Sequence, residues 1–378
     1  MKIAVISMIR EPWGGSEELW FAMAKQAIAE GHTIMHMSFD FDTVYPRLKE
    51  LKDMGALLFQ RPGYFPPGMS PRARAVRTLI NFLKKKLRNP FVPLFRHNPD
   101  IIIYNGTCYS IGQERQLLRA MGKDSRLYII GHLNAENDRG FPSQLRNTIL
   151  AAYDRATRVF FISLRSLATA RRHLCRDIPN AELIRNPVNM PDVTSLPFPA
   201  AGKVRWALVG NLIAAHKGQD ILLSTLCAPK WMGRDWILNI YGDGPDREYL
   251  QTLTAYYGMQ DKVIFQGKVS DIRQIWEQNQ VLLMPSHMEG MPLAIVEAML
   301  CGRPCLATDV GGAAEWIENG VSGWLAPSAT VALLDETLEK VWQEKERWAS
   351  MGIQAHRRAM ELYDPAAGKT LLDKLINL

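Results

Sequence analysis

Two glutamates set eight residues apart, Glu289 and Glu297, stand in the segment PSHMEGMPLAIVEAML. An apolar run, QVLLMP, ends just before them, and Pro292 suits the first turn of a helix running through LAIVEAML to Gly302. Glu289 then falls in the loop ahead of the helix, and Glu297 about one and a half turns inside it. The first amides of such a helix, around Leu293 and Ala294, lack intrahelical acceptors and favour an anion. A diphosphate held there would bring a ribose near Glu297, and a carboxylate accepts hydrogen bonds from both hydroxyls of a ribose diol. Glu289, closer to the strand end, would hold hydroxyls of a sugar. Spacing alone would make Glu297 an ordinary solvated helix residue. Its place inside LAIVEAML argues otherwise, because a charge among apolar neighbours is costly without a partner.

In the first half, REPWGGSEELW puts Gly14 and Gly15 ahead of a helix that Ser16 would cap, with Glu17 and Glu18 in its first turn. Two glycines let a backbone approach a phosphate without a Cβ in the way. A lone Gly-Gly is more often a plain strand-to-helix turn, and this one is not the G-x-G-x-x-G of a nicotinamide site. RLYIIGHLNAEN sets His132 just past a strand end, followed by the polar residues Asn134, Glu136 and Asn137. No aspartate-rich metal motif is present. The five cysteines are an odd number, and Cys301 and Cys305 have no second Cys/His pair beside them. The expectation is a reduced, cytoplasmic protein without metal or resident cofactor.

The elements that must position these residues follow from the apolar runs. KIAVISMI, HTIMHMSF, DIIIYNG, RLYIIGHL and TRVFFIS read as buried strands, and the rhythm restarts with VRWALVG, WILNIYG, KVIFQG, QVLLMPS, PCLATDV and GWLAP. Strands this apolar, spaced by amphipathic segments, predict parallel sheets covered on both faces. The proline-rich, aperiodic NPVNMPDVTSLPFPAAGK reads as a linker, with a boundary near residue 195. The predicted architecture is α/β: a Rossmann-like domain over 1–195 and a second over 196–359, doubly wound and facing each other across a cleft. A helix at about 360–378 is expected to pack back on the first domain. The 378 residues suffice for two cores, and no apolar run is long enough to span a membrane.

Charge is divided unevenly. Residues 1–195 carry 28 Lys/Arg and 17 Asp/Glu, whereas residues 196–378 carry 17 and 21, within a net charge of +7. The first half is expected to meet something anionic. From Arg61 to Arg96 there are nine Lys/Arg and no acid, with Val76, Leu79, Ile80, Leu83 and Leu87 at helical spacing. Such a basic amphipathic helix fits peripheral contact with a membrane through residues 72–96, or a packed helix with a solvated basic face. No recognised module points to nucleic acid.

The stretch EGMPLAIVE, with seven residues between its glutamates, and the following CGRPCLATDVGGAAEWIENG resemble the donor-site signature of family 4 glycosyltransferases, the glycosyl transferases group 1, retaining enzymes of the GT-B fold. The resemblance covers most of the chain and is specific mainly over residues 204–325. It implies a metal-independent transferase that takes a sugar from a UDP- or GDP-linked donor to a glycan, lipid-linked or small-molecule acceptor. Lys217 in LVGNLIAAHKGQD matches one of two cations that grip the diphosphate, but Asn211 stands where the family has arginine. Gly242 in IYGDGP and Gly267 to Val269 in VIFQGKV match strand ends near the nucleotide. Gly290, Met291, Pro292, Leu293 and Ala294 would complete the donor pocket with Glu289 and Glu297. The resemblance also turns the Gly14–Gly15 loop toward the diphosphate and puts His132 near the reacting sugar. His132, Glu289 and Lys217 are the expected catalytic group, and the inner face of the membrane is one expected location. Asn211 keeps a non-catalytic nucleotide-sugar-binding subunit open as an alternative, beside a nucleotide-sugar epimerase of the same fold.

Overall fold

The alternation of apolar runs and amphipathic segments folds into two all-parallel sheets. The computed structural model describes residues 1–66, 68–87, 89–122, 125–137, 140–200 and 202–377, without the side chains of 83–87. The chain forms two compact units, Met1–Pro187 with Asp364–Leu378, and Val188–Tyr363.

In the first unit seven strands, β1 (Lys2–Ser7), β2 (Thr33–Phe39), β3 (Leu57–Arg61), β4 (Ile101–Gly106), β5 (Arg126–Gly131), β6 (Arg158–Phe161) and β7 (Ala181–Leu183), lie in the order β3-β2-β1-β4-β5-β6-β7. In the second, β8 (Val204–Val209), β9 (Trp236–Tyr241), β10 (Val263–Gly267), β11 (Val281–Met284), β12 (Cys305–Thr308) and β13 (Gly323–Ala326) lie in the order β10-β9-β8-β11-β12-β13. Each sheet starts near its middle, builds toward one edge, then returns to build the other. The order reverses beside β1 and beside β8, which is where a doubly wound sheet opens a crevice at its carboxyl ends. The central strands read as unbroken apolar runs because both faces are covered: Ile3, Ala4, Val5 and Ile6 are fully buried, as are Leu282 and Leu283.

The proline-rich segment belongs physically to the second unit. Arg303, itself fully buried, donates to the carbonyls of Leu196 and Pro197, and Arg273 donates to those of Asp192 and Thr194. The chain ends in Trp348–Leu362, which stays with the second unit, and Ala367–Ile376, which packs on Glu18–Ala29 of the first. There Lys369 reaches Glu30 at 3.1 Å, and the Tyr128 hydroxyl donates to the Leu375 carbonyl.

Two local expectations are corrected. Ser16 does not cap the first helix. It lies in a 3-10 turn, Gly15–Glu17, and the helix proper is Glu18–Ala29. Glu17 is drawn inward by buried donors instead of lying in a solvated first turn. Pro292 is the residue before the helix Leu293–Leu300 and has an extended backbone. Among the described residues no helix is long and apolar enough to cross a membrane.

Candidate active site

In the second unit the candidate residues gather at the carboxyl ends of β8 to β11. β8 ends at Val209, and the chain then passes Gly210, exposed Asn211 and a short helix, Ala214–Lys217. The carbonyl of Asn211 accepts from the Gln219 side chain at 2.9 Å. Lys217 reaches across to the loop after β11, and its ammonium lies 2.6 Å from Oε1 of Glu289. Ser286 donates to the same oxygen at 2.7 Å. The loop that carries Glu289 is fixed by backbone contacts: His287 donates its amide to the His216 carbonyl, and Gly312 donates to Gly290. Gly311 follows β12 with a positive φ of +53°, and a Cβ there would lie 2.1 Å from the Glu289 carbonyl oxygen. Only glycine fits this position, so the Glu289 loop is held against a neighbour with no side chain between.

Gly242, at the end of β9, shows the same close approach. Its φ is +126°, and a Cβ would sit 1.9 Å from the Gly210 carbonyl. Its amide donates to the Gly267 carbonyl at 2.8 Å, so the ends of β8, β9 and β10 lie backbone to backbone. Val269, just beyond, is half-buried. Gly290, Met291 and Pro292 are buried, and Leu293 and Ala294 open the helix half-buried. The helix start thus presents its first amides beside the Glu289 loop.

Glu297 lies one helical turn further in and is 9% exposed. Its side chain has no hydrogen-bond partner among the described residues, and burial alone pushes its carboxyl up to about 7. A buried acid without a donor is an unfinished arrangement: either it stays protonated, or a donor is brought to it. A diol would supply two donors.

The first unit builds a different centre at the ends of β1, β4 and β5. Gly14 is extended, and Gly15 opens the 3-10 turn that carries Glu17 inward. Glu17 is 2% exposed and accepts from Ser7 at 3.0 Å, from the Trp20 indole at 2.5 Å and from the Asn105 amide nitrogen at 3.0 Å. Burial pushes its carboxyl up to about 7, although these donors pull the other way. Asn105 turns its oxygen the other way, 2.7 Å from Nε2 of His132. The carboxylate must receive the amide NH2, so the amide oxygen must receive an N–H, and the proton of His132 sits on Nε2. Its Nδ1 is then a buried acceptor, with no partner among the described residues. Burial lowers the imidazole to about 4, so it is neutral near pH 7. The polar loop after it is tied down: Asn134 donates to the Ser166 carbonyl at 2.7 Å, and Glu136 pairs with Arg165. Glu17 and Asn105 are site residues that sequence reasoning misses. A Glu two positions after Gly-Gly is the visible signal for the first; an asparagine at a strand end is too common to mark the second.

Among the described residues no group of three or more His, Cys, Asp or Glu side chains is placed to hold a metal ion.

Residues 203–344 match the family model described as glycosyl transferases group 1. The chain is 30% identical over 127 residues to the N-acetyl-alpha-D-glucosaminyl L-malate synthase of Bacillus anthracis, a match covering 33% of each chain. It is 33% identical over 146 residues to the 2-deoxystreptamine glucosyltransferase of Streptomyces kanamyceticus, covering 38% of each. These alignments span only about a third of the relatives' length. Over the whole length, the fold matches that of Anabaena HepE in complex with UDP-glucose, with a TM-score of 0.74 at 18% identity and full coverage of both chains. Residues 203–344 are thus similar to the glycosyl transferases group 1 domain, and the two parallel α/β sheets of the chain follow the GT-B fold.

Proposed function

We propose that the protein transfers a sugar from a nucleotide diphosphate-sugar to a glycan or lipid-linked acceptor, with retention at the anomeric carbon. The observation that carries this reading is the second-unit cluster: Lys217 paired with Glu289 beside a helix start, and donor-less Glu297 one turn behind it. The diphosphate sits on the amides of Leu293 and Ala294, where the helix dipole favours it. Glu297 accepts from the ribose diol. Lys217 turns from Glu289 to the phosphate and takes up the charge that develops as the glycosidic bond breaks. Glu289, relieved of the ammonium and still held by Ser286, accepts from sugar hydroxyls. A carboxylate so engaged is a poor nucleophile, which favours front-face attack, with the departing phosphate taking the acceptor's proton. His132 offers Nδ1 as an acceptor to a substrate hydroxyl. UDP is the favoured nucleotide, since HepE, of the same fold, was solved with UDP-glucose. Charge neutralisation rests on Lys217 and backbone amides, so transfer should proceed in EDTA.

The helix Pro71–Leu87 leaves Val76, Leu79, Ile80 and Phe82 exposed beside Arg72, Arg74 and Arg77. That face supports peripheral contact with an anionic bilayer, which sedimentation with phosphatidylglycerol vesicles would reveal. Asn211 supports a second reading, a subunit that binds the nucleotide-sugar without turning it over, because it removes one of the cations expected at the leaving phosphate. One experiment separates them: hydrolysis and transfer from a panel of UDP- and GDP-sugars, read by mass spectrometry with membrane extract as acceptor. Nucleotide binding without any turnover would favour the second reading, and no binding of either nucleotide would overturn both.

A further inference from the structure

A cavity of about 610 Å³ opens at the ends of β1, β3 and β4 in the first unit, under the helix Pro71–Leu87. Its walls include Arg10, Arg61, Phe65, Asn81, Phe82 and Glu114. Arg61 is 2% exposed. Its guanidinium lies 3.8 Å from the Phe39 ring centroid, and one terminal nitrogen donates to the Ser7 carbonyl at 3.3 Å and to the Met8 sulfur at 2.7 Å. The nearest carboxylate oxygen, on Glu114, is 3.9 Å away, too far for a hydrogen bond. Arg61 Nε has no partner among the described residues. Asp40 is committed elsewhere, accepting from the amides of Gly63 and Tyr64 and facing Arg77 at 3.8 Å. Asn81, on the helix Pro71–Leu87, is 7% exposed, and its Nδ2 also lacks a partner among the described residues. Arg10 adds a second positive charge.

Two buried donors that line it are therefore unpaired, and among the described residues the lining holds two cations, Arg10 and Arg61, against one carboxylate, Glu114. A buried guanidinium without a hydrogen-bonded anion is costly, and burial already pulls its pKa below the usual range. An oxyanion of tetrahedral or planar shape answers both deficits at once, because it accepts several hydrogen bonds and carries the missing charge. The aromatic rings of Phe65 and Phe82 offer flat apolar walls to the rest of the ligand.

We propose that this cavity binds the oxyanion-bearing end of the acceptor, with Arg61 and Asn81 as its donors. That the ligand is the acceptor rests on the transferase reading above; the anion site itself does not. Glu114 then competes with the ligand for Arg61, and this separates a binding site from a structural ion pair.

The test is calorimetric titration of the full chain, saturated with UDP, with glucose 6-phosphate, farnesyl phosphate and neutral glucose. Both phosphates are expected to bind at least tenfold more tightly than glucose, and the tighter one tells whether the anion belongs to a sugar or to a lipid carrier. Glu114→Gln should tighten phosphate binding at least threefold, and Asn81→Asp should weaken it at least tenfold. Neither should move the melting temperature by more than a few degrees. Equal binding of glucose and phosphates, or phosphate affinity unmoved by both variants, overturns the proposal. So does a Glu114→Gln chain that loses stability without gaining affinity, since Glu114 would then be the true partner of Arg61. The UDP titration keeps the two readings apart: if UDP binds and the phosphates do not, the cavity assignment alone fails. If UDP does not bind while the phosphates do, the donor reading fails and the anion site stands.

Discussion

Each unit buries one glutamate whose carboxyl is pushed up to about 7, and the two are surrounded in opposite ways. Glu17 receives Ser7, Trp20 and Asn105, so its hydrogen bonds are complete within the fold. Glu297 receives no side-chain donor from the described residues. The same contrast extends outward. The first unit's strand-end centre runs from Glu17 through Asn105 to neutral His132, whereas the second keeps a cation, Lys217, paired with Glu289. Sheets of the same winding thus carry a buried acid with its donors in place in one unit and a buried acid short of donors in the other. An acid already satisfied fixes geometry; an acid left short of donors is available to a ligand.

The largest expected effect breaks the second-unit pair. Glu289→Ala removes the carboxylate that Lys217 and Ser286 share, and with it the anchor for the transferred sugar. Transfer from the nucleotide-sugar should fall about a thousandfold, the scale of losing a charged group aimed at the reacting centre. UDP affinity should hold or rise, because the freed ammonium has only the diphosphate left to pair with. Steady-state rates and a UDP titration on the same preparation check both halves. Unchanged transfer would remove Glu289 from the site.

The corresponding break in the first unit should be smaller and mixed. Asn105→Leu deprives Glu17 of one donor and His132 of the acceptor that sets its tautomer. Leaving those buried groups unpaired should cost about 1–3 kcal/mol of stability, measured by chemical unfolding. Transfer should drop about ten- to a hundredfold, through the loss of His132 orientation. Asn105→Asp should not rescue it, since a carboxylate cannot donate to Glu17. If Asn105→Leu destabilises the chain yet leaves the rate constant of the folded fraction unchanged, the relay is purely structural.

How much of this was legible in sequence follows the same divide. Glu297 announced itself as a candidate, because an acid within LAIVEAML conflicts with its neighbours and the conflict needs a reason, whereas Glu289 was marked by its place at a strand end and by the resemblance. The strands at the middle of both sheets were equally plain, as Ile101–Gly106 and Val281–Met284 are apolar on both faces. The edge strands β3 and β7 were not. Leu57–Arg61 is only partly covered and mixes Gln and Arg with its apolar residues, and Ala181–Leu183 is too short for a pattern. The relay in the first unit was hidden for a different reason. Glu17, Asn105 and His132 come from three distant stretches, and no local spacing joins them before the sheet is formed. The linker reading of the proline-rich segment missed that Arg303, more than a hundred residues away, would bind its carbonyls.

A pH series sharpens the contrast between the two acids. UDP that donates ribose hydroxyls to Glu297 needs the ionised carboxylate, whose free-state pKa is about 7. Above that value the acid is already ionised and binding is level; below it, protons must be released and affinity falls. Between pH 8 and pH 6 the loss should be about tenfold. Glu297→Gln should remove that loss, leaving only the nucleotide's own titration. Glu17→Gln should leave the pH dependence of UDP binding as it is, since Glu17 draws its donors from Ser7, Trp20 and Asn105. If both variants titrate alike, the two acids are equivalent and the contrast fails.

The smallest effect concerns the position that departs from the expected pattern. Asn211 is exposed at the end of β8, and its carbonyl is already used by Gln219 and Ile213, so a larger side chain can be accommodated without disturbing the backbone. Asn211→Arg would place a second cation on the strand end that leads to Lys217. Being exposed, it would be well screened, so its gain in UDP affinity should be only a few-fold and should shrink as salt is raised from 50 to 500 mM, the window over which the screening length shortens from roughly 14 to 4 Å. A larger, salt-resistant gain in turnover would mean that the native chain lacks a catalytic cation and that Asn211 holds its rate down. No change in either quantity would mean that Lys217 and the helix amides already meet the full charge of the diphosphate.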